Sequence, residues 1–230
     1  MIATRHFVFL HLHKSGGTFV NECLVNFVPE ARQLGYHLPR QLIPPALAQL
    51  PVLGLVRNPW SYYVSWYSYQ STRSQPNALF RVLSDNKRLD FRGTIRNMTM
   101  LGSNGHLLND VLAALPRQYT NGGLNLPGFA LEPIRDTRLG FYTFLYRYMY
   151  GGGTSQLLLG RMEALRDDLL EMLASTGQPV SEAMRAYILH RGPANASEHT
   201  AYPEYYDAEL RDLVSERDEE IISRHRYHFS

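Results

Sequence analysis

Two short apolar stretches, Phe7 to Leu12 and Val52 to Val56, are bounded by turn residues and read as buried strands. Between them, Phe19, Val20, Cys23, Leu24 and Phe27 recur at three- and four-residue spacings. They predict a helix from Gly17 to Phe27 with one apolar face, closed by Pro29. A connector follows with Gly35, His37, Pro39, Pro44, Pro45 and Pro51, and a short helix is expected over Pro45 to Leu50. Pro59 suits the first turn of a further helix reaching Tyr69, because proline lacks an N–H that this position leaves unbonded anyway.

From Ser71 to Gly153 the pattern loosens. Polar loops at Ser71–Asn77 and Thr120–Gly128 alternate with helical pieces near Leu79–Leu83, His106–Leu115 and Gly140–Tyr150, and Gly151-Gly152-Gly153 marks a hinge or boundary. Residues 71–153 therefore read as a mostly helical insert over the sheet, and as the acceptor-binding region of any enzyme built this way. A strand at Gln156–Leu159 and helices at Glu163–Leu173 and Ser181–His190 come next. One last helix, Asp207 to about His225, is expected to turn Leu210, Leu213, Val214 and Ile221 inward and its charged residues toward water. The expected fold is α/β, a single domain over residues 1–230. It is P-loop-like and three-layered, with a central parallel sheet and flanking helices.

Composition narrows the function classes. The 44% hydrophobic content is that of a globular chain, and a formal charge of +2 gives no ground for a nucleic-acid partner. Cys23 is the only cysteine, on the apolar helix face, which excludes an internal disulfide and predicts a buried, inert thiol. The apolar run Phe7–Leu10 is too short for a signal peptide or membrane span, so no transmembrane segment and a cytoplasmic location are expected. His11 and His13 fall on one side of a strand, but no third ligand stands at a metal-binding spacing, so no metal is expected. Either can serve as a supporting hydrogen-bond donor or an alternative base.

The candidate chemistry lies in two strand-to-helix turns. The first is Lys14-Ser15-Gly16-Gly17-Thr18, where glycines let backbone amides approach an anion and the helix adds its positive end. Its lysine precedes the glycines, unlike that of a Walker A loop. The second is Arg57-Asn58-Pro59-Trp60, with Ser65 about two turns into the following helix; a guanidinium and a hydroxyl there can clamp a phosphate. Local alternatives are a tight structural turn for the first and an ordinary ion pair for the second.

Together these residues resemble the two cofactor motifs of the sulfotransferases that use 3′-phosphoadenosine 5′-phosphosulfate (PAPS). The carbohydrate-modifying branch, with the heparan sulfate 2-O- and 6-O-sulfotransferases and their bacterial relatives, is the nearest pattern. The resemblance covers residues 6–69 and returns at Leu159–Glu163, at Asn195-Ala196-Ser197 and at Tyr205-Tyr206. It implies PAPS as sulfuryl donor, with Lys14, Ser15, Gly16, Gly17 and Thr18 at the 5′-phosphosulfate and Arg57 with Ser65 at the 3′-phosphate. Arg191-Gly192 is similar to a late 3′-phosphate contact of the family, with the expected lysine missing. The catalytic histidine of that branch falls between the two loops, which implies His37, in Gly35-Tyr36-His37-Leu38-Pro39, as general base, with Lys14 stabilising the leaving group. The implied acceptor is a hydroxyl of a carbohydrate or glycoconjugate. A P-loop kinase or NTPase and a non-catalytic nucleotide-binding protein of the same fold are the alternatives. The aromatic run Phe141–Tyr150 reads as helical core packing or, alternatively, as part of an acceptor cleft.

Overall fold

The computed structural model describes residues 1–192 and 200–230; Asn195–Ser197 lie outside the described residues. The fold is α/β, with a five-stranded mixed sheet and, among the described residues, eleven α-helices. By internal contacts it divides into two compact units, Met1–Arg57 with Tyr148–Ala196, and Asn58–Arg147 with Ser197–Ser230.

The first unit holds the sheet. Its strands are β1 (Ile2–Ala3), β2 (Val8–Leu10), β3 (Arg32–Gln33), β4 (Val52–Val56) and β5 (Leu157–Arg161), in the order β3-β1-β2-β4-β5. β2, β4 and β5 run parallel, with Leu10 beside Gly54 and Gly54 beside Leu159. All five residues of β4 are buried, as its unbroken apolar run requires of a central parallel strand. The centre of the sheet is parallel, as expected from the sequence, and one edge is not: β1 is antiparallel to both β2 and β3. A tight turn causes this: Thr4 N–H donates to the Phe7 carbonyl (2.9 Å), and Thr4 Oγ1 accepts from Phe7 N–H (3.1 Å). Strands of two residues carry no periodic signal, so the hairpin was invisible to pattern.

Helix α1 (Gly17–Phe27) coincides with its predicted span. Its buried Phe19, Val20, Cys23 and Leu24 pack with Phe9, Leu53 and Leu55 on one sheet face, joined by residues of two later helices described below. On β4, Gly54 leaves room for the Tyr150 ring, since a Cβ there would come within 2.3 Å of it. The Tyr150 hydroxyl donates to the Leu55 carbonyl (2.8 Å) and accepts from Leu55 N–H (3.0 Å).

The second unit is helical: α2 (Pro59–Ser71), α3 (Ala78–Leu83), α4 (Phe91–Thr99), α5 (Gly105–Ala114), α6 (Gly128–Leu131) and most of α7 (Phe141–Tyr150). After β5, α8 (Leu165–Ser175) and α9 (Glu182–His190) return to the first unit, where Leu169, Leu173, Met184 and Ile188 complete its core. The single last helix expected from the sequence is two, α10 (Ala208–Arg217) and α11 (Glu219–His225). The break falls at Asp218, which is fully buried rather than turned to water. Its carboxylate accepts from Thr143 N–H (2.8 Å), Thr143 Oγ1–H (2.7 Å) and the Tyr63 hydroxyl (2.7 Å). A carboxylate therefore caps the positive start of α7 from about seventy-five residues away. Gly140 is glycine because a Cβ would stand 2.5 Å from that carboxylate. Burial pushes the Asp218 carboxyl up to about 6, against the lowering effect of its three donors.

Candidate anion-binding loop

β2 and β4 are hydrogen-bonded parallel neighbours, so the turns that leave them emerge at the same sheet edge. Topology alone thus brings Lys14 to Arg57. The Arg57 guanidinium donates from Nη1 to the Lys14 carbonyl (3.1 Å). Lys14 is half-buried and holds a left-handed backbone, φ 57°, which costs a non-glycine residue about 1–2 kcal/mol. Burial, and then the neighbouring Arg57 charge, lower its ammonium to about 8. Ser15, fully buried, donates from Oγ to the His13 carbonyl (3.3 Å).

Helix α1 begins at Gly16, φ 82°, which has no side chain to cap the first N–H groups, and no acid stands in the first turn. Six other helices carry a side-chain cap, whereas α6, α8 and α11, like α1, do not. Asn58, Asn77, Asp90, Asn104, Ser181 and Asp207 each accept from a first-turn N–H of α2, α3, α4, α5, α9 and α10. The start of α1, with Lys14 and Arg57 beside it, is a turn of positive potential. The half-buried Thr18 lies in that first turn.

The glycines have a packing reason that the sequence did not reveal. A Cβ on Gly16 would come within 2.4 Å of Leu165 Cδ1 and 2.5 Å of Met162 Sδ, and one on Gly17 within 2.0 Å of His11 Cδ2. Met162 and Leu165 thus back the loop at Gly16.

His37 joins the same unit as expected from its place between the loops, and its backbone is also left-handed at φ 49°. Its ring stacks on His13, centroids 3.5 Å apart and planes 20° from parallel, and lies 4.4 Å from His11. His37 Nδ1 is 2.8 Å from the His11 carbonyl, which can only accept; the proton is therefore on Nδ1, and Nε2 carries the basic lone pair. Burial lowers His37 to about 4, opposed by that hydrogen bond, so the ring is neutral near pH 7. Contrary to the strand placement, His11 and His13 follow the end of β2 at Leu10 and lie in the turn. Among the described residues no group of three His, Cys, Asp or Glu is arranged to hold a metal.

Ser65 is on α2, in the second unit, and only 2% exposed. Arg191 follows α9, exposed, its carbonyl accepting from Arg166. Cys23 is buried with its thiol pushed up to about 12 by burial, as expected of an inert cysteine. Phe141, Tyr142, Phe144, Tyr146 and Tyr150 are all buried, so their rings serve the core. No described helix is long and apolar enough to cross a membrane.

Sequence reasoning missed Asp218, whose only signal was a glycine at position 140, and Arg40. That buried guanidinium donates to the Ser155 carbonyl and to Ser155 Oγ (3.0 Å), with Gly153 against it. Compared with protein-family models and with curated proteins, the chain matches none.

Proposed function

We propose that the chain is a sulfotransferase that moves the sulfuryl group of PAPS to a hydroxyl of a carbohydrate or glycoconjugate. We assign it a P-loop-like three-layer fold. One observation supports the reading: two cations, Lys14 and Arg57, meet beside the start of α1, where no side chain caps the helix, and burial and then the Arg57 charge lower Lys14. A phosphate placed there relieves that repulsion and meets the first-turn N–H groups. For the 5′-phosphosulfate the donors are the Lys14 ammonium, the Thr18 hydroxyl and main-chain amides, the Ser15 hydroxyl being turned to the His13 carbonyl.

PAPS, when bound, supplies the sulfuryl group, whose S–O bond to the 5′-phosphate breaks as one to the acceptor oxygen forms. In this reading Lys14 neutralises charge on the departing phosphate. His37 takes the acceptor proton at Nε2; its neutral state and fixed tautomer suit that role. Arg57 and Ser65 are assigned to the 3′-phosphate, and Arg191 to its edge, by resemblance alone. The acceptor class rests on the same resemblance.

A second reading, a nucleotide-binding protein without activity, draws support from Gly16 and Gly17, since packing against Leu165, Met162 and His11 already accounts for both. Titration with 3′,5′-ADP, the desulfated donor, and with ATP plus Mg²⁺, followed by transfer of label from ³⁵S-PAPS to a panel of glycans, separates the possibilities. Binding of 3′,5′-ADP with label transfer supports the sulfotransferase. Binding of 3′,5′-ADP without transfer to any acceptor supports the inactive protein, and binding of ATP alone overturns the sulfotransferase.

A further inference from the structure

We infer that His11 is a hydrogen-bond donor of the anion cradle, presenting Nε2–H beside Gly17 to the 5′-phosphate of the bound nucleotide. The assignment rests on the nucleotide reading above and adds to it a residue outside the Lys14–Thr18 motif.

Three observations converge. First, Asn21, one turn into α1, places its amide Nδ2 3.2 Å from His11 Nδ1. With its amide nitrogen toward the ring Asn21 donates to Nδ1, which puts the ring proton of the neutral imidazole on Nε2; the opposite amide orientation would put it on Nδ1, and the ¹⁵N spectra below decide between the two. Second, the ring leans on the loop. A Cβ at Gly17 would come within 2.0 Å of His11 Cδ2 and 2.5 Å of Nε2, so glycine at 17 is the condition for the ring to lie at the start of α1. Third, His11 is only 6% exposed, and burial, with His37 next in effect, drives its basicity well below that of free histidine. His11 therefore offers a neutral donor, one that adds no charge to the Lys14–Arg57 pair and whose protonation does not change across the neutral range. The same residue lends its carbonyl to His37, so one turn sets both the donor beside the anion and the tautomer of the base.

The test compares parent, His11→Phe and Asn21→Leu in calorimetric titrations with 3′,5′-ADP and with adenosine 3′-phosphate, which lacks the 5′ group. Phenylalanine keeps the ring against Gly17 and removes the N–H. The expected result for His11→Phe is an affinity for 3′,5′-ADP lower by about tenfold to a hundredfold, the effect of one hydrogen bond to a charged group. Affinity for adenosine 3′-phosphate should be unchanged. Asn21→Leu, which frees the tautomer, should show a smaller loss in the same direction. Equal affinity of parent and His11→Phe for 3′,5′-ADP overturns the assignment of His11 and leaves the nucleotide reading standing. Failure of the parent to bind 3′,5′-ADP overturns both. Should His11→Phe not fold, ¹⁵N-detected histidine spectra of the parent decide. A protonated Nε2 whose resonance moves on adding 3′,5′-ADP supports the inference; a protonated Nδ1, or no movement, overturns it.

Discussion

Lys14 makes the pH dependence of nucleotide binding a direct report on the loop. An unperturbed lysine titrates near 10.4, so between pH 7 and 9 it would lose only a few per cent of its charge. Lys14, lowered to about 8 by burial and by Arg57, passes through its titration in that interval. A bound phosphate holds the ammonium charged and raises it again. By linkage, affinity then follows the fraction of free protein in which Lys14 is protonated. That fraction falls from about nine-tenths at pH 7 to about one-tenth at pH 9, so affinity for 3′,5′-ADP should drop about tenfold, or about 1.4 kcal/mol. The ligand phosphates are already dianionic above pH 7 and contribute little to the slope. Calorimetric titration at half-unit steps is the assay, with Lys14→Arg as control, since arginine stays charged throughout. Replacing Arg57 by glutamine should weaken binding at every pH and move the break upward, because the smaller of the two causes is gone. A flat profile in the parent, or a break that ignores Arg57→Gln, would refute the reasoning.

Other outcomes are equally definite. His37→Ala should abolish sulfuryl transfer while leaving 3′,5′-ADP affinity within about twofold, and parent kcat/KM should show no histidine inflection between pH 5.5 and 7.5, because His37 titrates near 4. Gly17→Ala, which sets a Cβ against the His11 ring, should cost about 1–3 kcal/mol in urea unfolding and weaken nucleotide binding with it. For Asp218, raised from 3.8 to about 6, folding favours the protonated acid, so its contribution is present below pH 3.8 and lost as pH rises toward 6. Asp218→Asn lacks that loss. Its destabilisation relative to the parent should therefore be greatest at pH 4 and shrink by up to about 3 kcal/mol by pH 7, read from urea unfolding at each pH.

The parts of the fold governed by local periodicity were readable in the chain. α1, β4 and the start of α2 lie where apolar spacing and Pro59 put them. What escaped depends on contacts between distant segments. β1 and β3 have two residues each, and α4 is a nine-residue helix whose buried Phe91, Thr94, Ile95, Met98 and Thr99 fall at helical spacing but include two threonines, so its apolar stripe is short. Asp218 looked like one more charge on an amphipathic helix, because nothing local discloses that Tyr63 and Thr143 wait for its carboxylate. In the candidate site, the sequence placed Lys14 and Arg57 at the ends of two strands, and the parallel pairing of β2 with β4 explains how they meet. The reason for Gly16 and Gly17 was not legible, since the atoms they accommodate belong to Leu165, Met162 and His11.

The central claim is that the cationic turn at the start of α1 grips the phosphate end of a nucleotide. Calorimetric titration of the full chain at pH 7 with 3′,5′-ADP, beside Lys14→Ala, measures it most directly. Saturable one-to-one binding by the parent, weakened at least tenfold by the substitution, is the expected result. No binding by the parent, or equal binding by both proteins, would contradict it.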